Sequence, residues 1–243
     1  MNTKTAVITG ASRGIGRALA LHLAKAGYDL AICAHSRTDS LAEVCHQVTA
    51  QGRRCVTYLG DMGNAASVQD FFGLILQEYP TIDVLINNAG ISYVGLLQDM
   101  TDDQWDQILH TNLSSAFYCC RQVIPAMLSQ KRGHILNISS VWGNVGASTE
   151  VAYSATKGGI NAFTRALAKE LAPSHICVNA IACGYIDTDM NGHLNETERQ
   201  QLCDEIPAGR PGTPEDVATL AVSILQNSDY LTGQIISLDG GWI

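Results

Sequence analysis

Glycines near the start of the chain have the spacing of a nucleotide-binding turn. Residues 9–16 read Thr-Gly-Ala-Ser-Arg-Gly-Ile-Gly, between an apolar segment and a helical pattern. Glycine permits a tight turn and a close approach of the backbone to a ligand, and a helix N-terminus attracts a pyrophosphate. The spacing differs from the standard G-x-G-x-x-G fingerprint, but the physical requirement is the same. The segment predicts dinucleotide binding, and a glycine-rich turn without a ligand is the open alternative.

A second group of polar residues follows in the middle of the chain. Residues 87–90 read Asn-Asn-Ala-Gly after an apolar segment, and Asn112 lies in a helical pattern. Ser140, Tyr153 and Lys157 come later, and the last two are four positions apart. That spacing places both side chains on one face of a helix. A solvated helix face has the same spacing, so the pair indicates a site only together with the other motifs.

Apolar segments alternate with helical patterns along the chain. The predicted strands are Thr5–Thr9, Asp29–Ala34, Arg54–Leu59, Asp83–Asn87, His134–Ile138, Ile176–Ile181 and Gln234–Leu238. Continuously apolar strands separated by helices indicate a parallel sheet that is covered on both faces. We therefore expect one doubly wound, Rossmann-type α/β domain over residues 1–243, with about seven parallel strands.

Two local features refine this expectation. Ser40 and Glu43 form a capping-box pattern, which predicts that the second helix begins at Ser40. The polar stretch over residues 186–206 interrupts the alternation between a strand and a helix. A long insertion in that place predicts a substrate lid.

Composition and charge exclude several classes of protein. The chain of 243 residues has a formal net charge of −8, so it lacks the basic face that nucleic-acid binding needs. The same charge disfavours adsorption to anionic lipid, and no apolar run is long enough to cross a bilayer. The eight cysteines and seven histidines show no metal-ligand spacing, and the first residues lack a signal-peptide layout. We expect no metal site, reduced thiols and a cytoplasmic location.

Taken together and in this order, the motifs resemble the short-chain dehydrogenase/reductase family over essentially the whole chain. The segments that carry the resemblance are residues 10–16, 87–90, Ser140 with Tyr153 and Lys157, residues 231–233 and residues 239–241. Within the family, residues 12–16, 112–115 and 206–210 are most similar to 3-oxoacyl-[acyl carrier protein] reductases. Residues 139–143, 146–151 and 240–242 are similar to the reductases that complete a lysine modification on bacterial elongation factor P. We expect NADPH-dependent reduction of a 3-oxoacyl thioester on acyl carrier protein, as in fatty-acid synthesis. A ketone on modified elongation factor P and another small carbonyl compound are the alternative substrates.

The resemblance implies catalytic roles for four residues. Tyr153 would be the general acid that protonates a ketone oxygen as hydride arrives, and Lys157 would lower the tyrosine pKa and hold the nicotinamide ribose. Ser140 would hydrogen-bond the substrate carbonyl, and Asn112 would hold a water in a proton relay. Glu150 precedes Tyr153 closely and could pair with an ammonium group on a substrate. A solvated loop glutamate is the alternative.

The end of the second predicted strand favours NADP(H) as the cofactor. Residues 33–37 read Cys-Ala-His-Ser-Arg, whereas NAD-dependent enzymes of this fold place an acid there for the ribose 2′-hydroxyl. Arg13 and Arg37 could instead bind a 2′-phosphate, for which a guanidinium group is well suited. Two solvent-facing arginines are the alternative.

Two further segments match cofactor contacts of the family. Residues 61–62 match the adenine contacts, and Ile186 and Thr188 match the contacts to the nicotinamide carboxamide. Shortly before Ile186 the family usually has Pro-Gly, whereas this chain has Cys183 and Gly184. The predicted cofactor contacts are Gly10, Ser12, Arg13, Gly14, Ile15, Gly16, Arg37, Asp61, Met62, Asn88, Ala89, Gly90, Tyr153, Lys157, Ile186 and Thr188.

The resemblance also implies partners. The helix around Tyr153 is apolar on more than one side, which implies packing against the sheet and against a partner subunit, as in the homotetramers of this family. An acyl carrier protein is acidic and would need a basic patch. The candidates for that patch are Lys131, Arg132, Arg121 and Lys169. A catalytically silent NADP-binding sensor is the non-enzyme alternative, but such sensors typically lack the tyrosine or the lysine.

Overall fold

The computed structural model describes residues 3–192, 195–227 and 229–243. This part of the chain forms one sheet of seven parallel strands, in the order β3-β2-β1-β4-β5-β6-β7. The strands are β1 (Thr5–Ile8), β2 (Asp29–Ala34), β3 (Cys55–Leu59), β4 (Val84–Asn87), β5 (Gly133–Ser140), β6 (Ile176–Cys183) and β7 (Ile235–Leu238). The predicted doubly wound α/β fold is confirmed.

Helices cover both faces of the sheet. They are α1 (Gly14–Lys25), α2 (Thr38–Ala50), α3 (Ala65–Glu78), α4 (Asp102–Leu109), α5 (Ser115–Gln130), α6 (Trp142–Val145), α7 (Val151–Leu171), α8 (Glu196–Glu205) and α9 (Pro214–Asn227). Helices α1, α2 and α9 build one apolar layer, and α3, α5 and α7 build the other. Successive residues of β1 serve both layers, because Ala6 and Ile8 face the first and Val7 faces the second.

The start of α2 differs from the expectation. The helix begins at Thr38, and Arg37 is its N-cap residue without a side-chain capping bond. The Leu41 N–H already donates to the Arg37 carbonyl at 3.0 Å, so Ser40 lies inside the helix and cannot cap it. The predicted capping box at Ser40 and Glu43 is therefore wrong, because the chain enters the helix directly from the turn after β2.

The polar stretch over residues 186–206 folds into short helical pieces. A 3₁₀ turn covers Asp189–Asn191, and α8 follows with Asn195 and Glu198 forming a capping box. None of the residues of α8 is fully buried, so this helix packs loosely on the rest of the chain. Residues 193–194 lie outside the described residues. That this stretch is a substrate lid stays a prediction.

The topology places a crevice next to β1. The chain proceeds from β1 outward to β2 and β3, then returns to β4 on the other side of β1. The loops that leave β1 and β4 therefore diverge and open a crevice between them. In doubly wound sheets, ligands bind in such a crevice, at the carboxyl ends of the strands. Among the helices that the structure describes, none has the length and hydrophobicity that a membrane crossing requires.

Candidate active site

A cavity of about 550 Å³ lies at the carboxyl ends of the strands, next to the divergence between β1 and β4. Its walls come from the segments that follow β1 to β6 and from the first turns of α1 and α7. Every site residue predicted from the sequence lines this cavity except Asn112, whose neighbour Thr111 does. Residues from distant parts of the chain are thus brought to one edge of the sheet.

The glycine turn after β1 is closed by the loop after β4. Gly10 has φ +67°, and a Cβ atom there would lie 2.9 Å from the Cα of Ala89. A Cβ atom on Gly16 would collide with the carbonyl oxygen of Gly10. The Asn88 side-chain amide donates to the carbonyls of Thr9 and Gly10, each at 2.9 Å. The motif at 87–90 therefore stabilises the conformation of the glycine turn. Gly10 and Gly16 have no space for a side chain, which leaves the backbone open to a ligand.

Helix α1 presents its N-terminus to the cavity. Its N-cap residue, Arg13, is extended and makes no side-chain capping bond, and no acidic residue occupies the first turn. The first backbone N–H groups of a helix lack partners within it, and together with the helix dipole they attract an anion. Ser12, Gly14 and Ile15 also line this part of the cavity. The arrangement suits a pyrophosphate.

Two guanidinium groups border the same end of the cavity. Arg37 lines it at the N-terminus of α2. Arg13 also lines it, but its Nη1 donates to Oδ2 of Asp189 at 2.7 Å. The bond from Arg13 holds the pKa of Asp189 below its ordinary value, and the charge of Arg37 contributes in the same direction. Sequence reasoning missed Asp189, because Arg13 stands 176 positions away and no spacing rule connects the two.

The residues predicted to contact adenine and nicotinamide lie at different places along the cavity wall. Asp61 and Met62 line the cavity after β3, and Asp61 Oδ1 accepts the Gly63 N–H at 2.8 Å. At the other end, Ile186 is buried and Thr188 lies against Gly14, where a Cβ atom would be 3.4 Å from the threonine methyl carbon. The segment after β6 therefore rests directly on the glycine turn.

Ser140 and Tyr153 meet at the end of β5. Ser140 is 6% exposed, and its Oγ accepts the Trp142 N–H at 3.2 Å. Tyr153 stands in the first turn of α7, and Ser140 hydrogen-bonds its hydroxyl. Burial raises the pKa of Tyr153, the charges of Cys183 and Glu150 raise it further, and the bond from Ser140 lowers it in part. The phenol is therefore protonated at neutral pH.

Lys157 lies one turn further along α7 and is 5% exposed. Its Nζ donates to the carbonyl oxygen of Ile138 at 2.8 Å and lies 5.5 Å from the centroid of the Tyr153 ring. Burial lowers the pKa of Lys157 to about 8. Burial thus acts in opposite directions on the two groups, because it disfavours both the phenolate and the ammonium: the tyrosine pKa rises while the lysine pKa falls. That Lys157 lowers the pKa of Tyr153 in the working enzyme stays a prediction.

Asn112 holds the loop after β4 in place by hydrogen bonds. It lies in a π-helical turn, His110–Ser114, between α4 and α5 and is 3% exposed. Its Oδ1 accepts the Ile91 N–H at 2.8 Å, and its Nδ2 donates to the Ile91 carbonyl at 2.8 Å and to Thr156 Oγ1 at 3.2 Å. Such π-helical turns occur frequently at functional sites. The water relay through Asn112 stays a prediction.

The far wall of the cavity contains aromatic residues that sequence reasoning did not assign to the site. The rings of Trp142 and Trp242 meet edge to face with centroids 5.0 Å apart, and both line the cavity together with Glu150. Trp242 follows β7, so only the folded sheet brings it to Trp142. Among the described residues, no three His, Cys, Asp or Glu side chains lie close enough together to hold a metal ion.

The sequence profile of the family described as short chain dehydrogenase matches residues 4–199. The chain belongs to the short-chain dehydrogenase family. As a member of that family it is an oxidoreductase that interconverts a carbonyl group and an alcohol. The doubly wound sheet, the glycine turn and the paired Tyr153 and Lys157 are the features that predicted this membership.

Relatives of this short-chain dehydrogenase extend over nearly its whole length. It is 38% identical over 240 residues to a 3-oxoacyl-[acyl-carrier-protein] reductase of Staphylococcus aureus strain Mu50, covering 98% of both chains. It is 39% identical over 243 residues to the protein of the same name from Chlamydia trachomatis serovar D, covering 98% of this chain and 96% of the relative. A crystal structure from Sinorhizobium meliloti 1021, described as a short-chain alcohol dehydrogenase, superposes with a TM-score of 0.93 at 36% identity, covering 100% of this chain and 97% of the other.

Proposed function

We propose that this short-chain dehydrogenase is an NADPH-dependent reductase of 3-oxoacyl thioesters carried on acyl carrier protein. The observation that carries the proposal is the cluster of buried Ser140 and Lys157 with half-buried Tyr153, which shares one cavity with the glycine turn. The names of the relatives from Staphylococcus aureus and Chlamydia trachomatis support the substrate class. We expect the enzyme to act in the cytoplasm.

The residues of the cavity fit a dinucleotide with an additional phosphate. The exclusion of side chains at Gly10 and Gly16 leaves backbone exposed to a pyrophosphate, and Arg13 and Arg37 supply positive charge at the adenosine end. Bound NADPH supplies the hydride for the carbonyl carbon. At the adenosine end, the first turn of α1 would hold the pyrophosphate, Arg37 and Arg13 the 2′-phosphate, and Asp61 and Met62 the adenine. The segment from Asn88 to Gly90 would lie along the middle of the cofactor. At the nicotinamide end, Lys157 would hold the ribose, and Ile186 and Thr188 would hold the carboxamide.

The chain's own residues would move the proton. Because burial keeps the Tyr153 phenol protonated, its hydroxyl donates to the substrate oxygen as negative charge develops there. The Ser140 hydroxyl donates a second hydrogen bond to the same oxygen and fixes its position. Lys157 is protonated below pH about 8, so its ammonium stabilises the phenolate that remains.

A second candidate substrate is a ketone that carries an ammonium group, as on a modified lysine of elongation factor P. Glu150 favours it, because this half-buried carboxylate lines the cavity close enough to Tyr153 to raise the tyrosine pKa. Trp142 and Trp242 line the same wall, and indole faces attract cations. A fatty acyl chain has no group that would pair with a carboxylate. The proposal for 3-oxoacyl thioesters still stands first because of the named relatives.

The two candidates can be separated with purified substrates. NADPH consumption is followed at 340 nm with acetoacetyl-[acyl carrier protein], and mass spectrometry follows the addition of two hydrogen atoms to ketone-bearing elongation factor P. Rapid turnover of the thioester with no change in the modified factor supports the first candidate, and the reverse overturns it. Glu150→Gln should raise KM only for the ammonium-bearing ketone. Glu170→Gln, an exposed position at the other end of α7, is the matched control.

The basic residues expected to receive the carrier protein do not surround the cavity. Lys131 and Arg132 directly precede β5 and therefore lie at the amino edge of the sheet, whereas the cavity lies at the carboxyl edge. Arg132 also pairs with Asp83 at 3.2 Å. Helix α7 starts beside the cavity and ends near Lys169, which places that residue at the far edge too. Of the four candidates, only Arg121 lies in the half of its helix nearer the cavity.

We also propose that the enzyme is a homotetramer whose contacts include the helix of Tyr153. Apolar side chains on α5 and α7 support this, because Phe117 is 46% exposed and Val151 is 43% exposed in the single chain. Exposed apolar patches of this kind commonly mark protein contacts. Light scattering should give four times the mass of one chain, and a monomer at micromolar concentration would contradict the assembly.

A further inference from the structure

Two cysteines meet on the side of the molecule that is farthest from Tyr153 and Lys157 in the sheet order. Cys45 lies on α2, and Cys55 is the first residue of β3, at the edge of the described sheet. The Sγ of Cys45 donates to the carbonyl oxygen of Cys55 at 3.7 Å. The Cys45 thiol therefore lies against Cys55, with one residue on a helix and the other on the next strand, ten positions further along the chain.

This pair differs from five of the other six cysteines in its access to solvent. Both Cys45 and Cys55 are half-buried. The fully buried cysteines are Cys33, Cys119, Cys120, Cys177 and Cys183. Cys203 is half-buried as well, but it lies on α8, beyond the opposite half of the sheet. A small oxidant in solution can therefore reach two neighbouring cysteines, and a sulfenic acid formed beside a second thiol condenses with it to a disulfide.

We propose that Cys45 and Cys55 are a modification site, at which a hydroperoxide produces a reversible disulfide that joins α2 to β3. In the first step the Cys45 sulfur attacks the peroxide, becomes a sulfenic acid and releases an alcohol or water. In the second step the Cys55 sulfur displaces the hydroxyl group of that sulfenic acid, and the proton of its thiol leaves with the hydroxyl as water. Two thiols are oxidised by two electrons, and the peroxide O–O bond is reduced by the same two.

The order of the two steps follows from the surroundings of Cys55. Burial raises the pKa of Cys55, and the neighbouring Cys45 raises it further, so Cys55 is protonated at neutral pH. A protonated thiol reacts slowly with peroxide, because the thiolate is the nucleophile. Cys55 therefore reacts second, by attacking the sulfenic acid of Cys45. The resulting disulfide attaches the C-terminal half of α2 to β3.

The site is separate from the reaction centre. Cys55 pairs with Leu30 at the amino end of β2, whereas the cavity lies beyond the carboxyl end of that strand. Tyr153 and Lys157 lie on α7, over the other half of the sheet. Cys183, by contrast, lines the cavity, and oxidation there would act on the reaction itself. The inference does not depend on the substrate proposed above.

The test uses the folded wild-type chain with hydrogen peroxide. After exposure, free thiols are blocked with iodoacetamide and the chain is digested without reductant, so that a crosslinked peptide pair identifies the disulfide. We expect a Cys45–Cys55 pair that dithiothreitol removes. Cys203→Ser should leave it unchanged, and Cys55→Ser should instead leave Cys45 as a sulfenic acid that dimedone traps.

The wild-type peptide map decides the question even if a serine variant fails to fold. Alkylation of both Cys45 and Cys55 after peroxide exposure would overturn the proposal. So would a disulfide between two chains through Cys45, or an intrachain disulfide that pairs Cys45 with any residue other than Cys55.

Discussion

The two ends of the cavity are built by different means. At the nucleotide end the surface is mainly backbone, shaped by Gly10 and Gly16 and by the first turn of α1. At the reaction end the surface consists of polar side chains, among which Ser140 and Lys157 are each at most 6% exposed. A backbone site is damaged by any added side chain, whereas a side-chain site is damaged by the loss of single atoms. Substitutions can therefore separate binding from chemistry.

Removal of one oxygen atom at the reaction end should have the largest effect. Tyr153→Phe deletes the proposed proton donor while keeping the ring in place, so we expect kcat to fall about 10³-fold, within the range that general acid catalysis supplies. The dissociation constant for NADPH, measured by fluorescence, should hardly change. Tyr185→Phe is the control, because Tyr185 also lines the cavity. A Tyr153→Phe enzyme that kept most of the wild-type kcat would contradict the role of Tyr153 as proton donor.

An added methyl group at the nucleotide end should act on binding instead. In Gly16→Ala the new Cβ atom collides with the Gly10 carbonyl and the Asn88 amide, so the turn must shift. We expect NADPH affinity to fall on the order of 100-fold, which corresponds to about 2.7 kcal/mol. Gly73→Ala on α3 is the control, because the new methyl group would meet nothing within 4 Å beyond its chain neighbours and the backbone of its own helix. If both variants bound NADPH like the wild type, the backbone account of this end would fail.

Reversal of one charge should change cofactor preference. Arg37 lines the cavity, and no acid stands between the end of β2 and Arg37. Arg37→Asp should therefore repel a 2′-phosphate and accept a ribose hydroxyl. We expect the ratio of kcat/KM for NADPH over NADH to fall about 30-fold, the size of one charge-assisted hydrogen bond. Lys25→Asp, the same change at the far end of α1, should leave the ratio unchanged. A wild-type enzyme that uses both cofactors equally would contradict the NADPH assignment.

The smallest expected effect is a gain in stability. The pKa of Lys157, lowered to about 8 by burial, means that its ammonium disfavours folding at neutral pH. Lys157→Met should therefore raise the free energy of unfolding at pH 7 by on the order of 1 kcal/mol, although the bond to Ile138 is lost.

The gain in stability of Lys157→Met should depend on pH in a defined direction. The folding penalty in the wild type is fully present below pH about 8 and fades as pH approaches the ordinary lysine value of 10.5, so the gain should shrink over that range. Urea unfolding of both proteins at several pH values measures it. A variant that is less stable than the wild type at pH 7 would show that the ammonium contributes to folding rather than opposing it.

The parts of the molecule that sequence could predict are those set by neighbouring residues. Short apolar segments predicted all seven strands, and the glycine spacing predicted the turn, because both depend on local backbone requirements. The contact of Trp142 with Trp242 and the pair of Arg13 with Asp189 join distant segments, and no local pattern specifies them. The rise of the Tyr153 pKa by burial is also invisible in the sequence, because only the packed structure reveals what surrounds the ring.

The measurement that tests the central claim most directly is the pH profile of kcat/KM for ketone reduction with saturating NADPH. The account requires a protonated Tyr153 and a protonated Lys157, and the pKa of the lysine is about 8 while that of the tyrosine is raised well above its ordinary value. The rate should therefore be level between pH 6 and pH 7 and should decline as pH rises through about 8. A rate that instead climbed from pH 7 to pH 10 would mean that a phenolate drives the reaction, and it would contradict a protonated Tyr153 acting as the proton donor.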